Sequence, residues 1–338
     1  MSADPKVATP VLLSWIQERE RLCALLGAVA IAFSSILVRL SHASPSTAAI
    51  FRCVYALPVL LVLASVENRR LGRRTWTERR PGLAAGVFFA ADLLLWHHSI
   101  GDVGAGLATV LANVQVVLLP IVAWLLLSEA PGRRVLVALP VSLTGVLLIS
   151  GVLERGAYGQ DPTRGTLFGL GAGVAYVGFL LLLRRGGADL RRIAGPLLDA
   201  TAVAAALCVV VGLLLGDAKL APAWPSAGWL ITLALTSQVM GWLLITASLP
   251  RLPAALTSVL LTVQPVGSVA LAALIFSESP SPVQLTGVAL VLAALLIAAR
   301  TRPTQPLAAV DGQPERRGPR ADRSCGMSDR AVESFRRG

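Results

Sequence analysis

Residues 105–129 read AGLATVLANVQVVLLPIVAWLLLSE, and the stretch occurs twice in the chain. At a constant offset of 149 residues Ala105 falls on Ala254, Val110 on Val259, Val114 on Val263, Gln115 on Gln264, Ser128 on Ser277, Glu129 on Glu278 and Pro131 on Pro280. Polar positions keep step as well. Thr109 and Asn113 fall on Ser258 and Thr262, each pair four residues apart and so on one face of a helix. Each copy is about 25 residues long and nearly free of charge between its ends, enough to cross a bilayer at ~1.5 Å per residue.

Composition leads to the same class. Of the 338 residues 55% are hydrophobic and 14% charged, and the mean hydropathy is +0.70, outside the balance of a soluble domain. The net charge of +11 raises nucleic acid as a partner, but most Lys and Arg lie in short loops between apolar runs and in the C-terminal stretch. Such a distribution records orientation in a membrane and no phosphate-binding face. Cys23, Cys53, Cys208 and Cys325 are far apart and unpaired in spacing, which argues against a disulfide framework or a metal site. No nucleophile with its base, HExxH string, close carboxylate pair or cofactor fingerprint is present, so neither an enzyme nor a resident cofactor is expected.

Taken in order, residues 1–20 carry charges of both signs and only a short apolar run, which reads as a cytoplasmic tail and no signal peptide. Apolar runs follow at about 22–40, 47–66, 82–100, 104–127, 135–152, 166–183, 193–215, 227–248, 253–276 and 283–299, ten in all. The expected fold is an all-α polytopic membrane protein of ten transmembrane helices. Threading them from a cytoplasmic N-terminus puts 25 of the 30 Lys and Arg inside and only Arg39, Arg155, Arg164 and Lys219 outside, with Arg52 within the membrane. This bias orients the chain with both termini cytoplasmic in the plasma (inner) membrane. Residues 301–338 are rich in Arg, Pro, Ser and Gly and read as a disordered basic tail, solvated or against anionic headgroups.

Five spans per half is an odd number, so the copy ending at Glu129 meets the cytoplasm and the copy ending at Glu278 the outside. The expected organisation is two inverted five-helix repeats, residues 21–152 and 165–300, joined by an extracytoplasmic linker at 153–164. Such halves rock about a shared central site and present it to each side in turn.

The string from Ala84 to Pro131, AGVFFAADLLLWHHSIGDVGAGLATVLANVQVVLLPIVAWLLLSEAP, resembles the third-to-fourth helix segment of the EamA-type transporters of the drug/metabolite transporter superfamily. The second copy, ALTSVLLTVQPVGSVALAALIFSESPSPVQLTG, is similar to their C-terminal repeat, with its helix-breaking Pro265, Glu278 and Gly287. The resemblance covers nearly all of residues 22–300 and implies a ten-helix secondary carrier for small solutes. It also implies an Arg at the position of Arg52, after a proline-containing entry such as SPSTAAIFR. Two departures stand out: Val116 replaces the expected proline, with Pro120 one turn later, and the following helices keep different glycines, Gly145 and Gly287.

Counting inward along the helices places Gln115 ~15 Å and Gln264 ~16 Å from opposite surfaces, near the midplane. With Thr109, Asn113, Ser258 and Thr262 these amides either line a solute cavity or bond neighbouring helices, and both readings stand. Arg52 and Asp92 are expensive in lipid unless paired or hydrated, and an Arg52–Asp92 pair would meet both needs. Arg52 then either braces the bundle or belongs to a solute or proton path. Trp96 reads as an interfacial anchor, and His97 or His98 as an interfacial group or as a proton relay with Asp92. Asp199 is expected to snorkel to headgroup water, Glu129 and Glu278 to be hydrated at opposite ends, and Gly165, Gly169 and Gly173 to permit close packing. The expected function is secondary transport of a small metabolite or drug-like solute by alternating access, with Gln115, Gln264, Asn113, Thr109, Thr262, Ser258 and Arg52 toward the solute. Proton coupling falls to Asp92 and His97. The partners are the solute and membrane lipid, with no nucleic acid and no obligate protein partner. The alternative is a channel-like protein or a non-transporting membrane receptor or scaffold.

Overall fold

Ten apolar runs demand helices, because lipid leaves backbone N–H and C=O groups no partner except within the segment. The computed structural model describes residues 20–127, 132–154, 156–186, 189, 191–248 and 263–299, and these contain helices and no strand. In chain order the helices are α1 (Glu20–Ala32), α2 (Ser34–Leu40), α3 (Pro45–Val54), α4 (Leu57–Leu71), α5 (Trp76–Val103), α6 (Ala105–Ala112), α7 (Gln115–Leu127) and α8 (Arg133–Ile149). They continue with α9 (Pro162–Gly186), α10 (Ala194–Leu215), α11 (Ser226–Leu233), a π-helical turn at Ala234–Gly241, α12 (Trp242–Ser248), α13 (Val263–Phe276) and α14 (Pro282–Ala299). Each expected run is helical over most of its described residues. Six segments are long and apolar enough to cross a membrane; Ala105–Leu118, Val263–Phe276 and Pro282–Ala298 are apolar but shorter. The tails and Glu129, Ser258 and Thr262 lie outside the described residues.

Several runs are interrupted where the sequence loses ladder donors or gains competing ones. α3 gives way to α4 at Tyr55 and Ala56, just before Pro58, whose missing N–H leaves a carbonyl one turn earlier unbonded. α6 stops at Asn113 although no proline is near. Thr109 Oγ1 donates to the Ala105 carbonyl at 2.8 Å and Asn113 Nδ2 to the Thr109 carbonyl at 2.8 Å. The next N–H groups, of Val114, Val116 and Val117, reach carbonyls three residues back in place of four. The side chains thus compete for the carbonyls that the ladder uses, and the helix tightens and turns. The second half carries an irregularity of another kind, a π-helical turn at Ala234–Gly241 within the eighth run.

Packing runs between the halves as much as within them. α9 lies along α5, α10 along α5 and α3, α13 along α6 and α1, α14 along α8, and α1 against α12 and the π-helical turn. Numbering the apolar runs one to ten, these are three with six, one with eight, three and two with seven, four and one with nine, and five with ten. Exchanging the halves converts three–six into one–eight and leaves two–seven, four–nine and five–ten unchanged. Small residues set the closest approaches: a Cβ on Gly169 would lie 2.7 Å from Leu111 Cβ and one on Gly173 3.1 Å from the Ala112 carbonyl oxygen. The glycine stripe of α9 is therefore the seat of α5 and α6.

Gly145 and Gly287 meet each other, which explains why each half keeps a different glycine. A Cβ on Gly145 would stand 2.7 Å from the Gly287 carbonyl oxygen, and one on Gly287 2.5 Å from that of Gly145. The α8–α14 crossing is a backbone-to-backbone contact that admits no side chain at either position. Gly145→Val and Gly287→Val are expected to cost about 1–3 kcal/mol each by overpacking. Gly101→Ala, with nothing within 4 Å of the new Cβ, stays neutral or gains up to ~1 kcal/mol. Thermal unfolding of the three purified variants in detergent checks the difference.

Candidate functional site

Between the halves, at the level of the α6 break, lies a small cavity of about 50 Å³ lined by Arg52, Asp92, Thr109, Asn113 and Gln264 together with the rings of Phe89, Trp96, Tyr176 and Trp242. It has room for roughly three or four waters and for no larger solute. The first half contributes α3, α5 and α6, and the second contributes α9, α12 and α13. Asp92 is 9% exposed and Gln264 5% exposed, yet neither side chain has a hydrogen-bond or ion-pair partner among the described residues. Buried polar groups without partners are rare, and here two of them converge on one space. Gln115 is not in this wall: it is buried at the first residue after the break, its backbone next to Gly173 of α9.

Arg52 and Asp92 share the cavity without an ion pair. The Arg52 guanidinium instead donates from Nε to Gln238 Oε1 at 3.0 Å and from Nη2 to Ser237 Oγ at 3.4 Å, both on the π-helical turn. It also lies over the Trp96 ring at 5.6 Å. Gln238 Nε2 in turn donates to Thr201 Oγ1 of α10 at 3.2 Å. The wide π turn rotates Ser237 and Gln238 together toward α3, and this is the local reason for its presence. Trp96, 7% exposed, is consequently a wall of the cavity and no interfacial anchor. Ser237, Gln238, Tyr176 and Trp242 escaped the sequence reading because their relevance depends on a neighbour from the other half.

Above this cavity a polar plug joins the halves. Ser35 of α2 and Ser268 of α13 share a hydrogen bond, and Ser268 Oγ donates to Thr109 Oγ1 at 3.0 Å. Thr109 thus both lines the cavity and bonds across helices. Beyond the plug the end of the bundle opens into a vestibule of about 770 Å³, whose wall includes Arg39, His42, His97, Asp102, Gly104 and Tyr158. His97 belongs here and not to the cavity; its Nδ1 faces the Leu93 carbonyl and its Nε2, fully buried, has no partner. Asp102 is held by Arg164 at 2.6 and 2.9 Å.

Glu278 closes the floor of the vestibule. It is 5% exposed, so the expectation of a hydrated carboxylate is overturned. Its Oε1 accepts from the Ala105 N–H at 2.9 Å and from Arg39, and its Oε2 accepts from the Gly106 N–H at 3.2 Å. A carboxylate at a helix N-terminus satisfies donors that the helix leaves open and meets the positive end of its dipole. Gly104 is required beside it twice over. Its φ is +89°, and a Cβ there would fall 2.8 Å from the carboxylate.

The opposite end of the bundle carries a second charged cluster. Asp199, 2% exposed, does not snorkel but pairs with Arg74 at 2.8 Å and Arg79 at 2.9 Å. Glu67 caps α10, accepting from the N–H groups of Ile193, Ala194 and Gly195 at 2.8–2.9 Å. Arginines expected only to report orientation are therefore also structural ties between the halves.

The fold recurs among solved structures, of which 26 chains match. One crystal structure aligns with a TM-score of 0.54 over 86% of this chain and 98% of its own, at 16% identity, a likeness of fold alone. No curated protein matches the chain. The family model described as "EamA-like transporter family" matches it twice, at residues 19–151 and 163–300. With both halves matched, and nearly every described helix inside the matches, the chain belongs to the EamA-like transporter family.

Proposed function

We propose that the chain is a secondary carrier that moves a small metabolite or drug-like solute across the plasma membrane by alternating access. The observation that carries this reading is the small cavity between the halves, with Asp92 and Gln264 in its wall and a hydrogen-bonded plug between it and a larger vestibule. Ten spans in two inverted five-helix repeats, with both termini cytoplasmic, supply the symmetry by which opening one end closes the other. The vestibule is then extracytoplasmic.

In this reading the solute rests against Asn113, Thr109 and Gln264, with Arg52 and Asp92 as charged boundaries. Ser258 and Thr262, the repeat counterparts of Thr109 and Asn113, complete the site from the second half. Arg52 acts mainly as a brace, because its Nε and Nη2 are engaged by Gln238 and Ser237, whereas Gln264 and Asp92 are free to take a partner. The cavity enlarges as the halves rock apart.

Counterflow of a labelled solute in liposomes, the solute first found by thermal-shift screening of a metabolite panel, tests the carrier reading. Exchange accelerated by trans solute is expected of a carrier and not of a channel or receptor. Asn113→Ala and Gln264→Ala are expected to slow exchange about tenfold or more, the loss of one to two hydrogen bonds to a bound solute, while Gln115→Ala changes it little. Equal rates for all three variants would remove the cavity as the solute site.

Proton coupling through Asp92, with His97 passing protons from the vestibule, is a second proposal. It rests on the lack of a partner at Asp92 and at His97 Nε2. Asp92→Asn is expected to abolish the response of net transport to an imposed pH gradient while leaving solute exchange at equal pH intact. A wild-type rate indifferent to the gradient would overturn it.

A further inference from the structure

The carboxylate of Glu278 sits in a cradle whose other parts come from distant elements. Two successive backbone N–H groups at the start of α6 and the guanidinium of Arg39 on α2 surround it. Arg39 is itself set in place by the Phe276 ring, 4.7 Å from its Cζ, and by Tyr158, whose hydroxyl accepts from Nη1 at 3.5 Å. The cradle recognises two oxygens and their planar carbon. A Cβ on Gly104 would stand 2.8 Å from all three carboxylate atoms, so the cradle needs the bare backbone of that residue.

The cradle is also on the solute's path. Arg39 and Gly104 line the vestibule, as does His97, whose fully buried Nε2 has no partner. With Nδ1 against the Leu93 carbonyl, Nδ1 carries the proton and the Nε2 lone pair is left without a donor. From the cradle, α6 runs straight to Asn113 in the wall of the central cavity, ~12 Å further on by the helix rise. One helix therefore joins the two places, its N-terminus at the vestibule and its break at the cavity.

We propose that the Arg39–Ala105–Gly106 cradle is an entry subsite for the carboxylate of the solute, and that Glu278 is a tethered occupant that holds it while the vestibule floor is shut. This rests on the carrier reading and deepens it by naming a carboxylate-bearing, donor-containing solute class. Glu278 belongs to the end of α13, in the second half, and the cradle to the first half. When the halves part at this end Glu278 is withdrawn and the cradle stands open to a free carboxylate. Return of Glu278 then displaces the solute toward the cavity, because a tethered group competes at high effective concentration.

Acetate is the probe, applied to the full chain in detergent at constant ionic strength against chloride and sulfate. Glu278→Ala vacates the cradle, and its thermal midpoint is expected to fall and then to recover with acetate. The recovery is saturable, amounting to about 2 °C at ten times the dissociation constant. Wild type does not respond, and neither does Arg39→Gln/Glu278→Ala. Glu278→Gln covers the case in which alanine does not survive extraction: the amide keeps the shape but not the charge, so acetate displaces it and gives the same rise at higher concentration. No rise in the variant that folds, a rise equal to that with chloride or sulfate, or a rise that persists without Arg39 overturns the proposal. The measurement is independent of flux. Acetate rescue without counterflow keeps the cradle and removes the carrier, whereas counterflow without rescue keeps the carrier and removes the cradle.

Discussion

Lipid offers no hydrogen-bond partner, so every polar group within the span of this bundle must be answered by another part of the protein or by enclosed water. That constraint sorts the polar residues into two kinds. Arg52 is answered by Gln238, Ser237 and the face of Trp96, and Asp199 by Arg74 and Arg79. Asp199 is neutralised where it stands, and removing its arginines would strand a buried charge at a cost of roughly 3–5 kcal/mol, whereas the Arg52 charge is solvated by neutral groups. Asp92 and Gln264 are answered by nothing but the cavity they line. An unmet carboxylate and an unmet amide make that space, alone of the polar clusters described above, one whose groups are left to be satisfied from outside the chain.

What the sequence made legible is what has a period or a local partner. The repeat, the helical runs and the glycine stripe at Gly165, Gly169 and Gly173 depend only on spacing along the chain. The same spacing brought Thr109, Asn113 and Gln264 to one level, and depth alone added Arg52 and Asp92. The break at Asn113 was hidden because the usual marker, a proline, is replaced by Val116, and the break arises from side chains bonding back to carbonyls.

The misreadings have one physical cause. Glu278, Asp199 and Trp96 stand near helix ends, where water or headgroups would serve them, and the simplest expectation is that water does. Each is taken instead by a partner remote in sequence. The α6 N-terminus is 173 residues from Glu278 and Arg79 is 120 from Asp199, and Trp96 is claimed by Arg52. A window along the chain sees the end of a helix but not what is packed against it. The π-helical turn at Ala234–Gly241 was invisible for the same reason, since its use is to reach Arg52 in the other half.

These ties are unevenly placed, and the unevenness bears on which parts can move. The second and seventh runs are joined at both ends. At one end Glu67 caps α10 through three N–H groups and Arg74 binds both Asp199 and the Gly195 carbonyl. At the other, Asp217 and Lys219 bond Ser44, Ser46 and Thr47 at the start of α3. The fifth and tenth runs are joined by the Gly145–Gly287 contact and by Gln284, which bonds the Ile149 carbonyl and both backbone groups of Tyr158. Hydrogen bonds to charged groups are worth about 1.5–3 kcal/mol each, so these pairs form a frame. At the vestibule end, the first, fourth and ninth runs are held across the halves by the serine plug and one carboxylate, that of Glu278. Among the described residues, then, the charged tie at that end between α2, α6 and α13 runs through one side chain, which carries the second half's only carboxylate there onto two backbone N–H groups and one guanidinium of the first half.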